Sequence, residues 1–286
     1  MSCHFPKVVV SVHLQPPPKA NPTIVMQLTI DIGNSSIKAG LFPAVGVATT
    51  SGRNSDTKLS LRPVDTLRCN MSDMEAFHDF ITGKNILCCL LSTTSTIPKW
   101  IPELLKESGI SDYQVLQGTT PLPVRNLYET PETLGTDRIS SAIGAYYLSG
   151  CKRSVLCIDS GTALTYDIVN CAGEYLGGNI SPGLAMRFRS RHDYTSRLPL
   201  LSPQHRPTEI GTSTESAIVN GVMKGMSHEI EGFIKEYSLA FPNLDVYLTG
   251  GDALDFDLHM NRRLKKEKNL VLIGLNIILN HIHEIK

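Results

Sequence analysis

The sequence predicts a mixed α/β protein of two similar halves facing one another across a cleft. Three observations predict it. A strong strand, Gln27–Ile32, ends in Asp31-Ile32-Gly33 and turns tightly into a second strand, Ser36–Phe42. The pattern returns at Ser154–Asp159, where Asp159-Ser160-Gly161 again precedes a turn and a strand. Both halves then continue with further strands and helices, and a cleft between like halves is a common place for a small ligand.

The elements follow in order. Ser72-Asp73-Met74-Glu75 has the spacing of a capping box and opens a helix to about Ile81. Ile86–Leu91 is an apolar run of buried-strand type, and Pro98 to Glu107 is helical. A longer helix runs from Asp137 to Ser149 and stops at Gly150. In the second half, strands are expected over 163–169 and 174–180, and Pro182 has the place of a first helical residue. Thr212-Ser213-Thr214-Glu215 reads as a second capping box, heading a helix to Leu239. A short strand, Val246–Leu248, runs into Thr249-Gly250-Gly251-Asp252, and an apolar helix over 271–281 closes the chain. The halves divide near residue 150, giving units of 26–150 and 151–286. Residues 1–25 carry five prolines, no acidic residue and no helix or strand period. They read as a disordered extension ahead of a folded unit that begins near Met26.

Composition removes several classes of function. Lys plus Arg equals Asp plus Glu, at 27 each, so there is no basic footprint for nucleic acid. No apolar run approaches the roughly 20 residues of a membrane helix. Residues 7–14 resemble a signal core but lead into Pro16-Pro17-Pro18 rather than a cleavage site. The seven cysteines form no C-x-x-C pair and no regular framework, which fits a reducing cytoplasm. There is no G-x-x-x-x-G-K-[ST] loop and no G-x-G-x-x-G turn after a strand.

Chemistry concentrates in four places. In Asp31-Ile32-Gly33-Asn34-Ser35-Ser36-Ile37-Lys38, backbone N–H groups and hydroxyls can surround a phosphate, and Lys38 adds charge. Alone, this is also an ordinary hairpin turn. Asp159-Ser160-Gly161-Thr162 repeats it, with a carboxylate for a cation and a hydroxyl at Thr162. Two such hairpins are more specific than either. Gly135-Thr136-Asp137-Arg138 can serve a substrate bearing both a carboxylate and a hydroxyl. Arg138 would fork onto the carboxylate and Asp137 would accept the hydroxyl proton. The adjacent cation and helix N-terminus should lower the Asp137 pKa. Taken alone, the pair reads first as a helix cap beside a surface arginine. Thr249-Gly250-Gly251-Asp252 suits close approach of a planar group such as adenosine, or is a plain glycine turn. Gly177-Gly178-Asn179-Ile180-Ser181-Pro182-Gly183 allows either anion binding or close packing, with packing favoured. His281 and His283, the run Lys265–Lys268, and Arg187, Arg189 and Arg191 read as surface, loop and interface or solvent residues.

The ordered set DIGNSSIK, Tyr128 seven residues before GTDR, DSGTALTYD, GGNISPGL, TSTESAI and TGGDA resembles the type III pantothenate kinases, from about Met26 onward. The resemblance implies an actin-like ATPase fold of two ribonuclease-H-like halves. It implies phosphorylation of pantothenate by ATP, the entry step to coenzyme A. Asp31, Ile32, Gly33, Asn34, Ser35, Ser36, Ile37, Lys38 and Thr162 would bind ATP. Tyr128, Gly135, Thr136, Asp137, Arg138 and Thr214 would hold pantothenate, with Asp137 as proton acceptor. Asp159 would bind a monovalent cation, potassium or ammonium, beside the magnesium that accompanies ATP, and the protein would be a homodimer. Ser35 stands where the family usually has Thr, and Ser213 where it often has Asn. Two rivals remain: a kinase of the same superfamily acting on another hydroxy acid or sugar, and a non-catalytic ATP-binding regulator.

Overall fold

A strand buried along its whole length must lie inside a sheet with both faces covered, and β1 (Met26–Ile32) is such a strand. In the computed structural model, which describes residues 24–44, 60–202, 207–252 and 264–285, it sits at the centre of a five-stranded sheet. Its neighbours are β2 (Ile37–Pro43), antiparallel, and β4 (Ile86–Thr93), parallel. Outside them lie β3 (Asp65–Cys69), antiparallel to β2, and β5 (Tyr113–Val115), parallel to β4. The second sheet is built the same way around β7 (Val155–Ser160). β8 (Ala163–Val169) and β9 (Glu174–Pro182) add antiparallel on one side. β10 (Asp245–Thr249) and β11 (Leu264–Lys266) add parallel on the other. The first sheet runs β3-β2-β1-β4-β5 and the second β9-β8-β7-β10-β11, with β6 (Arg125–Asn126) added beside β9. Order and direction agree strand for strand. The protein therefore consists of two ribonuclease-H-like halves, the architecture of actin-like ATPases.

The helices form three layers. α1 (Met74–Ile81) and α2 (Trp100–Glu107) share an apolar core with the outer face of the first sheet. α4 (Leu184–Asp193) and α5 (Thr214–Ala240) do the same for the second. Between the sheets lie α3 (Thr136–Leu148) and α6 (Leu270–Glu284), whose core takes side chains from the inner faces of both. α6 is apolar nearly all round, as a helix enclosed on all sides must be. Its two buried amides are bonded: Asn280 exchanges hydrogen bonds with Gln27 of β1, and the Asn276 amide donates to the Ser60 carbonyl at 3.3 Å. The helices cross at glycines. A Cβ on Gly274 would lie 1.8 Å from the Ser140 carbonyl oxygen, and one on Gly144 2.5 Å from that of Leu270. α3 also packs on β7 and β8, and α6 on β1, β2 and β4, so each half is covered by its partner's helix as well as its own.

Several local expectations change. The cap of α1 is Asp73, whose carboxylate accepts from the Ala76 N–H, not Ser72. The cap of α5 is Ser213, reciprocated by Ser216 rather than by Glu215. Pro182 ends β9, and α4 begins after Gly183. Lys265 lies in β11 rather than a loop and donates to Asp245 at 3.1 Å and to the Tyr247 hydroxyl at 3.2 Å. His283 is only partly exposed and lies 3.7 Å from Asp112. The glycine-rich segment is a packing device: a Cβ on Gly178 would fall 1.6 Å from the Tyr166 carbonyl oxygen, and one on Gly183 2.2 Å from that of Gly161. Residues 1–23 lie outside the described residues, and with them all but the end of the expected extension. No helix among the described residues is long and apolar enough to cross a membrane.

Candidate active site

The equivalent hairpins of the two sheets meet at one cavity of about 470 Å³. Its first wall is the β1–β2 hairpin, closed by a Gly33 N–H to Ser36 carbonyl bond of 3.1 Å. This wall presents Asp31, Gly33, Asn34, Ser35, Ser36 and Lys38. The second wall is the β7–β8 hairpin, closed by the Gly161 N–H on the Ala163 carbonyl at 3.0 Å. It presents Asp159, Gly161, Thr162, Ala163 and Thr165. The head of α3 contributes Asp137 and Arg138, and the turn after β10 contributes Gly250, Gly251 and Asp252. Gly250 has φ +98°, and a Cβ there would meet the Ser160 carbonyl oxygen at 2.2 Å and the Asp159 carboxylate at 2.6 Å. Only glycine lets this turn lie against the second hairpin.

The expected site residues do not all reach the cleft. Ile32 and Ile37 are fully buried in the core beneath the hairpin, which leaves only their backbone for a ligand. Gly135 caps α3 without a side chain, because a Cβ would stand 2.7 Å from Asp137 Oδ1. The Thr136 hydroxyl donates to the Thr93 carbonyl at 3.3 Å, tying the head of α3 to the end of β4. Tyr128 stands behind Arg138, with the guanidinium carbon 5.6 Å from its ring centre, and does not line the cavity. Thr214 is exposed at the first turn of α5 and is not in the cavity lining either.

Arg138 is not a surface residue. It is buried, and its guanidinium forks onto Asp167, with Nη2 2.7 Å and Nε 3.1 Å from Oδ1. The Tyr175 hydroxyl donates to the same carboxylate at 2.6 Å. A buried charge needs such partners. They hold the planar group in place on Asp167, so a fork onto a substrate carboxylate is not its arrangement here.

The carboxylates are unusual in the direction of their shifts. Asp31 receives the Ser92 hydroxyl at 2.8 Å and lies 3.8 Å from Lys38 Nζ. Burial nevertheless pushes its pKa up, against the opposing effects of Lys38 and Ser92. Asp137 also moves up rather than down. Burial outweighs its backbone hydrogen bonds and the Arg138 and Lys38 charges that the expectation relied on. At Asp159, burial leads, Lys38 opposes, and the charges of Asp137, Asp31 and Asp167 add, so its pKa reaches about 7.

Two residues of the cleft were not singled out as site residues in the sequence. Thr165 faces Asp159 across the β7–β8 pair, and its buried hydroxyl has no hydrogen-bond partner among the described residues. Strand alternation alone could have placed it beside Asp159. Arg68 enters from β3, an edge strand without an apolar pattern.

A family model for type III pantothenate kinase matches residues 27–236. The chain belongs to the type III pantothenate kinase family. A type III pantothenate kinase of Bacteroides fragilis is 40% identical over 258 residues, covering 90% of this chain and 98% of its own. One from Phocaeicola vulgatus is 37% identical over 256 residues, with the same coverage. Among solved structures, a Campylobacter jejuni protein described as a Baf family transcriptional activator superposes with a TM-score of 0.54. It covers 90% of this chain and 99% of its own at 21% identity, a likeness of fold alone.

Proposed function

We propose that this chain transfers the terminal phosphoryl group of ATP to the primary hydroxyl of pantothenate, the first step toward coenzyme A. The observation that carries this reading is the convergence of both Asp-Gly hairpins and Asp137 on one cavity. The phosphates would lie between the hairpins, met by backbone N–H groups, the Ser35, Ser36 and Thr162 hydroxyls and Lys38. The hydroxyl oxygen bonds to the terminal phosphorus as the bond to the bridging oxygen breaks and ADP leaves. The hydroxyl proton passes to the Asp137 carboxylate. Such transfer needs mainly positioning and charge neutralisation. A carboxylate whose pKa is raised by burial holds a proton better than an exposed one.

The residues fit the accompanying ions. Magnesium is usually bound by one or two carboxylates together with substrate phosphates and water. Asp31, at the foot of the phosphate hairpin, supplies a carboxylate there. A monovalent cation would be held by Asp159 and the unpartnered Thr165 hydroxyl, and it would supply positive charge beside the phosphates. Arg138 and Tyr128 would shape the pantothenate end, Arg138 with the edge that Asp167 leaves open. The protein would work as a cytoplasmic homodimer. The exposed position of Thr214 suits a residue that completes the pocket of a second subunit.

The test is ADP formation from ATP with pantothenate, with and without potassium. Pantothenate-dependent turnover stimulated by potassium supports the reading. Phosphorylation of a different alcohol would move the substrate, and ATP binding without turnover of any alcohol would favour a regulator.

A further inference from the structure

The register of the first sheet places four polar residues in one row. Ser92 on β4 lies beside Asp31 on β1, Asp31 beside Lys38 on β2, and Lys38 beside Arg68 on β3. Residues directly opposite in neighbouring strands share a face, so the row borders the cleft. Three members satisfy one another: the Ser92 hydroxyl donates to Asp31, and Lys38 pairs with it. Arg68 ends the row and makes no hydrogen bond or ion pair among the described residues. It stands opposite a second cation, Lys38, and like charges so placed destabilise a strand pair. An anion between them would reverse that effect.

The space for one is present. Arg68 borders both the 470 Å³ cavity and an adjoining lobe of about 300 Å³. Lys38, Arg68 and Lys268 line that lobe, and among the described residues no carboxylate does. Facing Arg68 is the glycine turn: a Cβ on Gly251 would stand 3.7 Å from each terminal nitrogen of its guanidinium. A chain of phosphates running from Asp31 and Asp137 toward Gly250 and Gly251 passes Lys38 first and Arg68 next.

We propose that Arg68 is a nucleotide-binding residue that grips the diphosphate portion of ATP, the part that leaves as ADP. Its planar fork matches two phosphate oxygens at once. The inference rests on the ATP reading above and deepens it, since no motif of the hairpins includes β3.

Arg68→Ala and Arg68→Lys, compared with the unaltered protein, test it by titration with ATP, ADP and adenosine, by pantothenate KM and by thermal melting. Arg68→Ala is expected to weaken ATP and ADP by about tenfold or more. Adenosine affinity and pantothenate KM should stay unchanged. The ligand-free melting temperature should hold or rise as the repulsion with Lys38 is removed. Arg68→Lys should fall between, keeping charge without the fork. If Arg68→Ala binds ATP and ADP as the unaltered protein does, the assignment is overturned. Equal losses for adenosine would overturn it as well, because they would show a general disturbance of the site. An unaltered protein that binds no nucleotide would overturn the ATP reading itself, a result distinguishable from the first.

Discussion

Asp137 is where a single atom decides the outcome. Replacing it with Asn keeps the side-chain shape and the oxygen that receives the Arg138 N–H at 2.9 Å, but removes the proton acceptor. Asp137→Asn should lower kcat by about 10²- to 10⁴-fold, the usual worth of a positioned base. ATP affinity and melting temperature should be little changed, and near-normal turnover would remove Asp137 from this role. Asp159 makes a different prediction. Its folded pKa of about 7 lies far above the ordinary 3.8, so the ligand-free folded state holds a proton that the unfolded state has released. The shift favours folding at low pH, and that contribution is lost as pH rises from about 4 through about 7. Asp31 and Asp137, also pushed up, act in the same direction. Without nucleotide, and with a bulky organic cation as the only salt, melting temperature should fall as pH rises through that window. Potassium should restore part of the loss at pH 8, and Asp159→Ala should abolish both the restoration and potassium activation of turnover. A melting temperature flat from pH 5 to 8 would contradict the account.

At the scale of elements, the crossing of α3 and α6 is the least tolerant feature. Gly274 touches the Ser140 backbone, and a methyl group 1.8 Å from a carbonyl oxygen fits only if the helices separate. Gly274→Ala should cost about 2 kcal/mol or more by overpacking, read as a lower midpoint in urea. Because α3 carries Asp137 at its head, that change should also raise KM for both substrates. Gly221 on α5, with open space around it, gives the contrasting case: Ala there should be neutral or slightly stabilising. The sequence made the long elements legible for a physical reason. β1 is buried throughout and β4 and α6 over most of their length, and burial imposes apolar runs. β3, β5 and β11 are short edge strands with exposed side chains, so nothing in their composition marks them. The site divides in the same way. The hairpins were legible because glycine and aspartate lie adjacent in sequence. The Arg138–Asp167 pair, separated by 29 residues, was not, and the Asp137 shift was misjudged because burial cannot be read from a helix N-terminus.

For the whole molecule, the matching sheets explain why the site lies at an interface that neither half can supply alone. Each half brings one hairpin, and the helices α3 and α6 hold the two hairpins at a fixed separation. Thr214 extends the argument beyond one chain. It is exposed at the head of α5, outside the cleft of its own subunit. If it completes the pocket of a second subunit in a symmetric dimer, two defective chains can repair each other. Asp137→Asn and Thr214→Ala should each be nearly inactive alone. After mixing, unfolding and refolding in equal amounts, half of the dimers carry one subunit of each kind. In such a dimer one site has both lesions, and the other combines an intact Asp137 with an intact Thr214. Activity should recover to about a quarter of that of the unaltered protein. If Thr214 served its own subunit, every site would keep one lesion and mixing would restore nothing. Sedimentation of the mixture, run alongside the assay, shows whether dimers formed, so a failure to recover activity bears on Thr214 and not on assembly.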